Sequence, residues 1–186
     1  MSKTGTKSSD KSSSTTANQD AFALLTADHK RVKSLFKEFE SLKDEGDDDQ
    51  KATLVETICN ELTVHAQIEE EIFYPAVRQA TGDDTLMDEA EQEHQDAKDL
   101  IARIRSMSAS AEEYDATVQR LGTMIDEHVL EERERVFLEA RQAPLDLRGL
   151  AAPLFERKKK LQGAASKPLK SPKTGRAPAK ATKEPA

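Results

Sequence analysis

Four histidines, one in each of four segments with helical apolar periodicity, limit this chain more than any other feature. They are His29, His65, His94 and His128. His65-Ala66-Gln67-Ile68-Glu69 and His128-Val129-Leu130-Glu131-Glu132 each set a carboxylate four residues after the imidazole. At 3.6 residues per turn, positions i and i+4 lie one above the other on one face of a helix. Each such pair can therefore reach one metal ion together.

The apolar spacing predicts where the helices run. Phe22, Leu25, His29, Val32, Phe36 and Phe39 form one stripe of a first helix that begins near Asp20. A second helix is expected from about Gln50 to Gln79, with Leu54, Ile58, Leu62, His65, Glu69, Ile72 and Ala76 inward and Pro75 kinking or ending it. Thr81-Gly82-Asp83-Asp84 reads as a turn and an N-cap. A third helix follows to about Ser108, with Met87, Glu91, His94, Ile101 and Ile104 inward. Ser110 and Glu113 stand in capping-box spacing before a fourth helix, from about Ala111 to Arg141. Its inward residues are Val118, Leu121, Ile125, His128, Glu132 and Val136. The fold class is all-α, an antiparallel up-down-up-down four-helix bundle over residues 20–143, because the connections are short. Residues 144–162 read as a short helix on the bundle end. Residues 1–19, rich in Ser, Thr and Lys, and 163–186, rich in Lys, Pro and Ala, read as disordered tails.

This topology sets the heights of the histidines. His29 stands about 14 residues before the first interhelical loop and His65 about 14 after it, so both lie about 21 Å from it. The third and fourth helices place His94 and His128 about 14 and 17 residues from their shared loop. All four imidazoles are expected in one layer of the interior.

Each feature has a plainer alternative. A lone inward histidine can be a hydrogen-bonded core residue, and each His-x-x-x-Glu can be a helical ion pair. Together, however, four buried imidazoles and two carboxylates are costly to desolvate without a cation. His29, His65, Glu69, His94, His128 and Glu132 are the expected metal ligands. Nitrogen and oxygen donors without sulfur suit iron, manganese or zinc. Two carboxylates that can bridge, with two imidazoles for each ion, make a dinuclear centre the natural arrangement.

Charge divides the chain. Residues 156–186 hold ten Lys and Arg against two acids, a balance of +8, and residues 1–19 carry +2. Against a net charge of −7, residues 20–155 therefore carry −17. Such an acidic body is a poor nucleic-acid binder, whereas the basic end can bind phosphates without base specificity. The acidic stretch Asp44 to Asp49 lacks the ligand alternation of a calcium loop. The single cysteine, Cys59, excludes an intramolecular disulfide and reads as a small buried side chain. With no apolar run of membrane-spanning length and no apolar leader, a cytoplasmic location without membrane contact is expected.

The order His, His-x-x-x-Glu, His, His-x-x-x-Glu, with Glu70-Glu71-Ile72-Phe73-Tyr74-Pro75 after the second-helix motif, resembles the hemerythrin-like (HHE cation-binding) family. The resemblance covers about residues 20–141 and implies a four-helix bundle around a non-haem di-iron centre. His29, His65, His94 and His128 match the family's histidine ligands, and Glu69 and Glu132 its bridging carboxylates. The oxygen-carrying form has a further histidine one turn before the position of His94, where this chain has Ala90. Glu91 is the residue expected to replace it, with Glu70 a weaker substitute. Without a replacement, one iron gains an open position for oxygen, peroxide or nitric oxide. The function expected from the resemblance is binding or sensing of such a ligand, or iron handling. The alternative is an interaction module held by a redox-inert ion such as zinc, whose basic tail binds nucleic acid or another partner.

Overall fold

The computed structural model describes residues 20–44 and 47–165, all of whose regular structure is helical. The expectations for residues 1–19 and 166–186 lie outside the described residues. Helix α1 (Ala21–Leu42) starts where the Asp20 carboxylate accepts the Ala23 N–H at 2.8 Å. Helix α2 (Asp48–Ile68) is capped in the same way by Asp47. A π-helical turn, Glu69–Phe73, joins it without a break to α3 (Tyr74–Thr81). Helix α4 (Asp84–Ser106) follows a turn in which Gly82 has φ +73° and Asp83 caps the Leu86 N–H. Helix α5 (Tyr114–Glu131) passes through a second π-helical turn, Glu132–Val136, into α6 (Phe137–Gln142). Helix α7 (Leu147–Ala165) ends the described chain.

Helix α1 packs against α2 and α5, and α4 packs against the other side of the same pair, which closes the antiparallel four-helix bundle. The expected capping box at Ser110 does not form: Ser108 and Ser110 bond to each other at 2.8 Å, and α5 starts only at Tyr114. Helix α7 starts and ends three residues later than the sequence suggested. It lies along α1, α2 and the first π turn rather than on the bundle end.

The interior consists of two apolar clusters with a polar layer between them. Phe22, Leu25, Phe73, Tyr74, Met87, Phe137 and Leu154 fill one half. Val32, Phe39, Ile58, Leu62, Ile101, Val118 and Leu121 fill the other. Phe22, Phe73 and Phe137 pack edge-to-face or tilted with centroids 4.4 to 6.1 Å apart, contacts worth about 0.5–1.5 kcal/mol each beyond area burial.

The two π turns decide which residues reach this interior. In each, a backbone N–H reaches back five residues: Tyr74 to the Glu69 carbonyl, and Phe137 to the Glu132 carbonyl. The extra residue moves the inward register forward by one. Phe73 and Val77 are therefore fully buried where the uninterrupted pattern had pointed to Ile72 and Ala76, which are only half-buried. Pro75 follows the first turn, but the second has no proline. What the two share is a buried glutamate at the first position, and π turns of this kind collect at functional sites.

Gly82 offers a direct check on the helix junction. Its left-handed φ favours glycine, while a β-carbon there would meet no atom within 4 Å. Gly82→Ala should cost about 1 kcal/mol through backbone strain alone. Thermal unfolding should show a fall of a few degrees with an unchanged helical spectrum.

Candidate metal centre

Each histidine lies in the layer between the two apolar clusters, where the Phe137 ring stacks on His29 at 6.4 Å. The Nε2 atoms converge. His29 Nε2 lies 2.8 Å from His65 Nε2, and His94 Nε2 lies 3.2 Å from His128 Nε2. Glu69 stands between the pairs, with Oε2 3.2 Å from His65 Nε2 and 3.4 Å from His94 Nε2. Glu132 Oε2 lies 3.4 Å from His29 Nε2.

Two groups of donors lie close enough to hold an ion each: His29, His65 and Glu69, and Glu69, His94 and His128. Bonds of about 2.1 Å would place neighbouring ligands about 3.0 Å apart on an octahedral ion and about 3.4 Å apart on a tetrahedral one. The measured edges of 2.8 to 3.4 Å span that interval.

Electrostatics support the same fit. Glu69 and Glu132 are buried, and none of their four carboxylate oxygens has a hydrogen-bond partner. Leaving such groups unpaired is costly, and two adjacent buried carboxylates resist simultaneous ionisation. Burial, then the Glu69 charge, pushes the Glu132 carboxyl well above its usual range. Burial also lowers His29, helped by repulsion from His65, to about 3. Burial opposes protonation of His94 too, but Glu69 and Glu70 outweigh it and raise that imidazole to about 9. Cations set among these donors would satisfy the orphaned oxygens and the converging lone pairs at once.

A further layer of carboxylates holds the outer nitrogens. His128 Nδ1 donates to Glu93 Oε2 at 2.7 Å and His94 Nδ1 to Glu70 Oε1 at 3.0 Å. Lys98 in turn donates to both Glu70 oxygens at 2.6 and 2.7 Å. Asp28 Oδ2 faces His65 Nδ1 at 3.5 Å, beyond a hydrogen bond. Asp28 and Glu93 each sit directly before a histidine in sequence. One residue along a helix turns the side chain by about 100°, so each acid faces the imidazole of the neighbouring helix rather than its own. An acid directly before an inward histidine is thus a signal present in the sequence but absent from the apolar stripe.

The other residues singled out in the sequence take outer places. Glu91 does not join the cluster, because Arg78 holds it 3.2 Å away on a surface where its side chain is 43% exposed. Ala90 instead packs in the apolar half beside Tyr74. The Tyr74 ring stacks on His94 with centroids 5.3 Å apart, and its hydroxyl lies 3.3 Å from His94 Nε2. Glu71 pairs with Arg157, and Glu131 pairs with Arg135 at the surface. Cys59 is buried in the other half, and burial raises its thiol to about 11. A thiol so protonated and enclosed is a poor nucleophile. At neutral pH a thiol reagent should label Cys59 only after denaturation; rapid labelling of the folded chain would contradict this burial.

On the side of the imidazoles away from Tyr74 lies a cavity of about 30 Å³, walled by Val32, Leu62, Ala97, Ile101, Ile125 and Val129. His29, Val32, Ile125 and Val129 also line an open groove between α1 and α5, which gives the cavity a side towards solvent.

A solved hemerythrin HHE cation binding domain-containing protein from Mycobacterium kansasii superposes with a TM-score of 0.65 at 20% identity, over 79% of this chain and 90% of that one. That likeness is one of fold. A curated protein of Nostoc sp., named DNA nickase, is 33% identical over 114 residues, which is 61% of this chain but only 31% of that protein. No described helix is long and apolar enough to cross a membrane. The profile of the hemerythrin HHE cation binding domain matches residues 20–140, and the chain belongs to that family.

Proposed function

We propose that this chain is a non-haem di-iron protein that binds or senses oxygen or a related small ligand, such as peroxide or nitric oxide. The observation that carries this reading is the apolar cavity of about 30 Å³ beside the four imidazoles. A single water needs about 10–15 Å³ of such space. The cavity therefore suits a diatomic or a peroxide and is too small for most organic substrates. His29 and His65 would hold one ion, His94 and His128 the other, with Glu69 shared between them and Glu132 beside His29. Bound iron supplies redox chemistry and open coordination positions that the side chains lack.

The chain's own residues prepare the rest. Glu70 and Glu93 accept the Nδ1 protons of His94 and His128, so that Nε2 is the nitrogen of each ring turned inward, where a metal would replace any proton on it. Val32, Leu62 and Ile101 keep bulk water from the ligand's position. Ala90 contributes no donor, and Glu91 is engaged by Arg78, so the His94–His128 side has fewer donors than the oxygen-carrier pattern. The Tyr74 hydroxyl is the polar group beside His94 that can hydrogen-bond within the centre. This favours ligand sensing or scavenging over simple reversible carriage.

The test is metal content per chain after expression in iron-replete medium, with the visible spectrum in air and after reduction. About two irons per chain, with charge-transfer bands that bleach on reduction, are expected for this donor set. Stoichiometric zinc, or a folded bundle that takes up no iron, would overturn the reading in favour of a structural module.

A second reading concerns nucleic acid. The relative in Nostoc carries the name DNA nickase, and ten Lys and Arg lie between residues 156 and 186 of this chain. Non-specific binding through phosphates follows from such charge and should weaken steeply with salt. Gel-shift titration of duplex DNA with the full chain and with a chain ending at residue 165 tests it. Equal binding by both would remove the tail from the explanation.

A further inference from the structure

Helix α7 lies beyond residues 20–140, the part that matches the family, yet it reaches the metal centre. Two consecutive side chains anchor it. Arg157 grips both oxygens of Glu71 at 2.5 and 2.8 Å. Lys158, mostly buried, donates to Asp28 Oδ1. Asp28 is itself buried, and its other oxygen faces His65 Nδ1. These two atoms are both enclosed, both without a hydrogen-bond partner, and 3.5 Å apart. The arrangement repeats on the opposite side of the centre, where Lys98 clamps Glu70 and Glu70 accepts from His94 Nδ1.

We propose that Lys158 is a positioning residue of the metal centre: by fixing Asp28 it orients His65, so that α7 belongs to the site and is not merely packed against it. Asp28, with one oxygen on the Lys158 ammonium, turns its other oxygen to the His65 ring, 3.5 Å from Nδ1. An N–H at His65 Nδ1 leaves Nε2 as the free lone pair, the form a metal requires. Without Lys158, nothing would hold Asp28 Oδ1 in place, the carboxylate would swing away from His65 Nδ1, and the imidazole would lose its orientation.

This inference rests on the proposal that His65 holds a metal ion. Its test is the rate at which iron-loaded full-length protein releases iron to excess ferrous chelator, with circular dichroism of each variant as the check on folding. Lys158→Met should release iron roughly tenfold faster or more, in the range typical of lost outer-layer partners, and Lys158→Arg should restore much of the retention. Asp28→Asn should act in the same way. The double variant should add little to either single change, because both remove one linked interaction.

Arg157→Met separates positioning from docking. It removes the neighbouring anchor of α7 but touches no histidine partner, so it should release iron at nearly the wild-type rate. Equal acceleration by Arg157→Met and Lys158→Met would assign the effect to helix docking and overturn the proposal. Unchanged release from Lys158→Met and Asp28→Asn would do the same. Failure of the wild-type chain to take up iron would instead defeat the functional reading on which the proposal stands.

Discussion

Glu69→Gln should hold metal about a hundredfold more weakly than the wild-type chain, and in its metal-free form His94 should lose its proton at a lower pH. The two effects have one origin. Glu69 is the residue common to both donor groups, so its loss removes a ligand from each ion. Outer partners of metal ligands already contribute ten- to hundredfold, and a shared inner ligand belongs at or above the top of that range. In the metal-free protein, the Glu69 carboxylate lies 3.4 Å from His94 Nε2 and, with Glu70, raises that imidazole to about 9. A neutral amide of the same shape removes that attraction, so His94 should fall back towards its usual range. Isothermal titration with ferrous ion, beside nuclear magnetic resonance titration of the histidines in both metal-free proteins, measures the two changes. A bundle that does not use metal would show the second effect without the first. An unchanged His94 titration would mean that Glu70 alone holds its proton.

Ala97→Leu should abolish access of an external ligand without emptying the metal centre. Ala97 is buried on the wall of the cavity beside the imidazoles and makes none of the polar contacts of the site. A leucine there fills the space that the ligand would take. Overpacking typically costs 1–3 kcal/mol, which a bundle of this size can bear while it remains folded. Nitric oxide and azide titrations followed by visible absorption should show at least tenfold weaker binding, with iron content unchanged. Wild-type affinity in this variant would mean that ligands reach the metals from another side, and the groove between α1 and α5 would lose its role as an approach.

The convergence of the four histidines was legible because it depends on local geometry. Positions i and i+4 share a helix face whatever the rest of the chain does, and a histidine on an apolar stripe must point inward. Equal distances from shared loops then brought His29, His65, His94 and His128 to one level, and the structure has their Nε2 atoms within 2.8 and 3.2 Å in pairs. The helical bundle followed from the same periodicity. Glu91 shows where that argument fails. Its spacing from His94 is suitable, but Arg78 arrives from α3 and draws it outward. A competing ion pair from another element leaves no mark in the spacing.

The π turns were illegible for a related reason. A π turn is rare in any helix and follows from no side-chain spacing, so packing around the buried glutamates decides where one forms. That single inserted residue exchanged Ile72 and Ala76 for Phe73 and Val77 in the interior. The outer carboxylates lay one step off the stripe, and only the approach of a neighbouring helix gives them an imidazole to hold. Lys158 is the extreme case, 130 residues from Asp28 in sequence. By itself the sequence determined the helices, their inward faces and the chemistry of the donors, because 3.6-residue periodicity and side-chain type are local properties. The tertiary structure alone decided the register beyond Glu69, the exclusion of Glu91 and the place of α7 over Asp28, because each depends on which surfaces of distant segments meet.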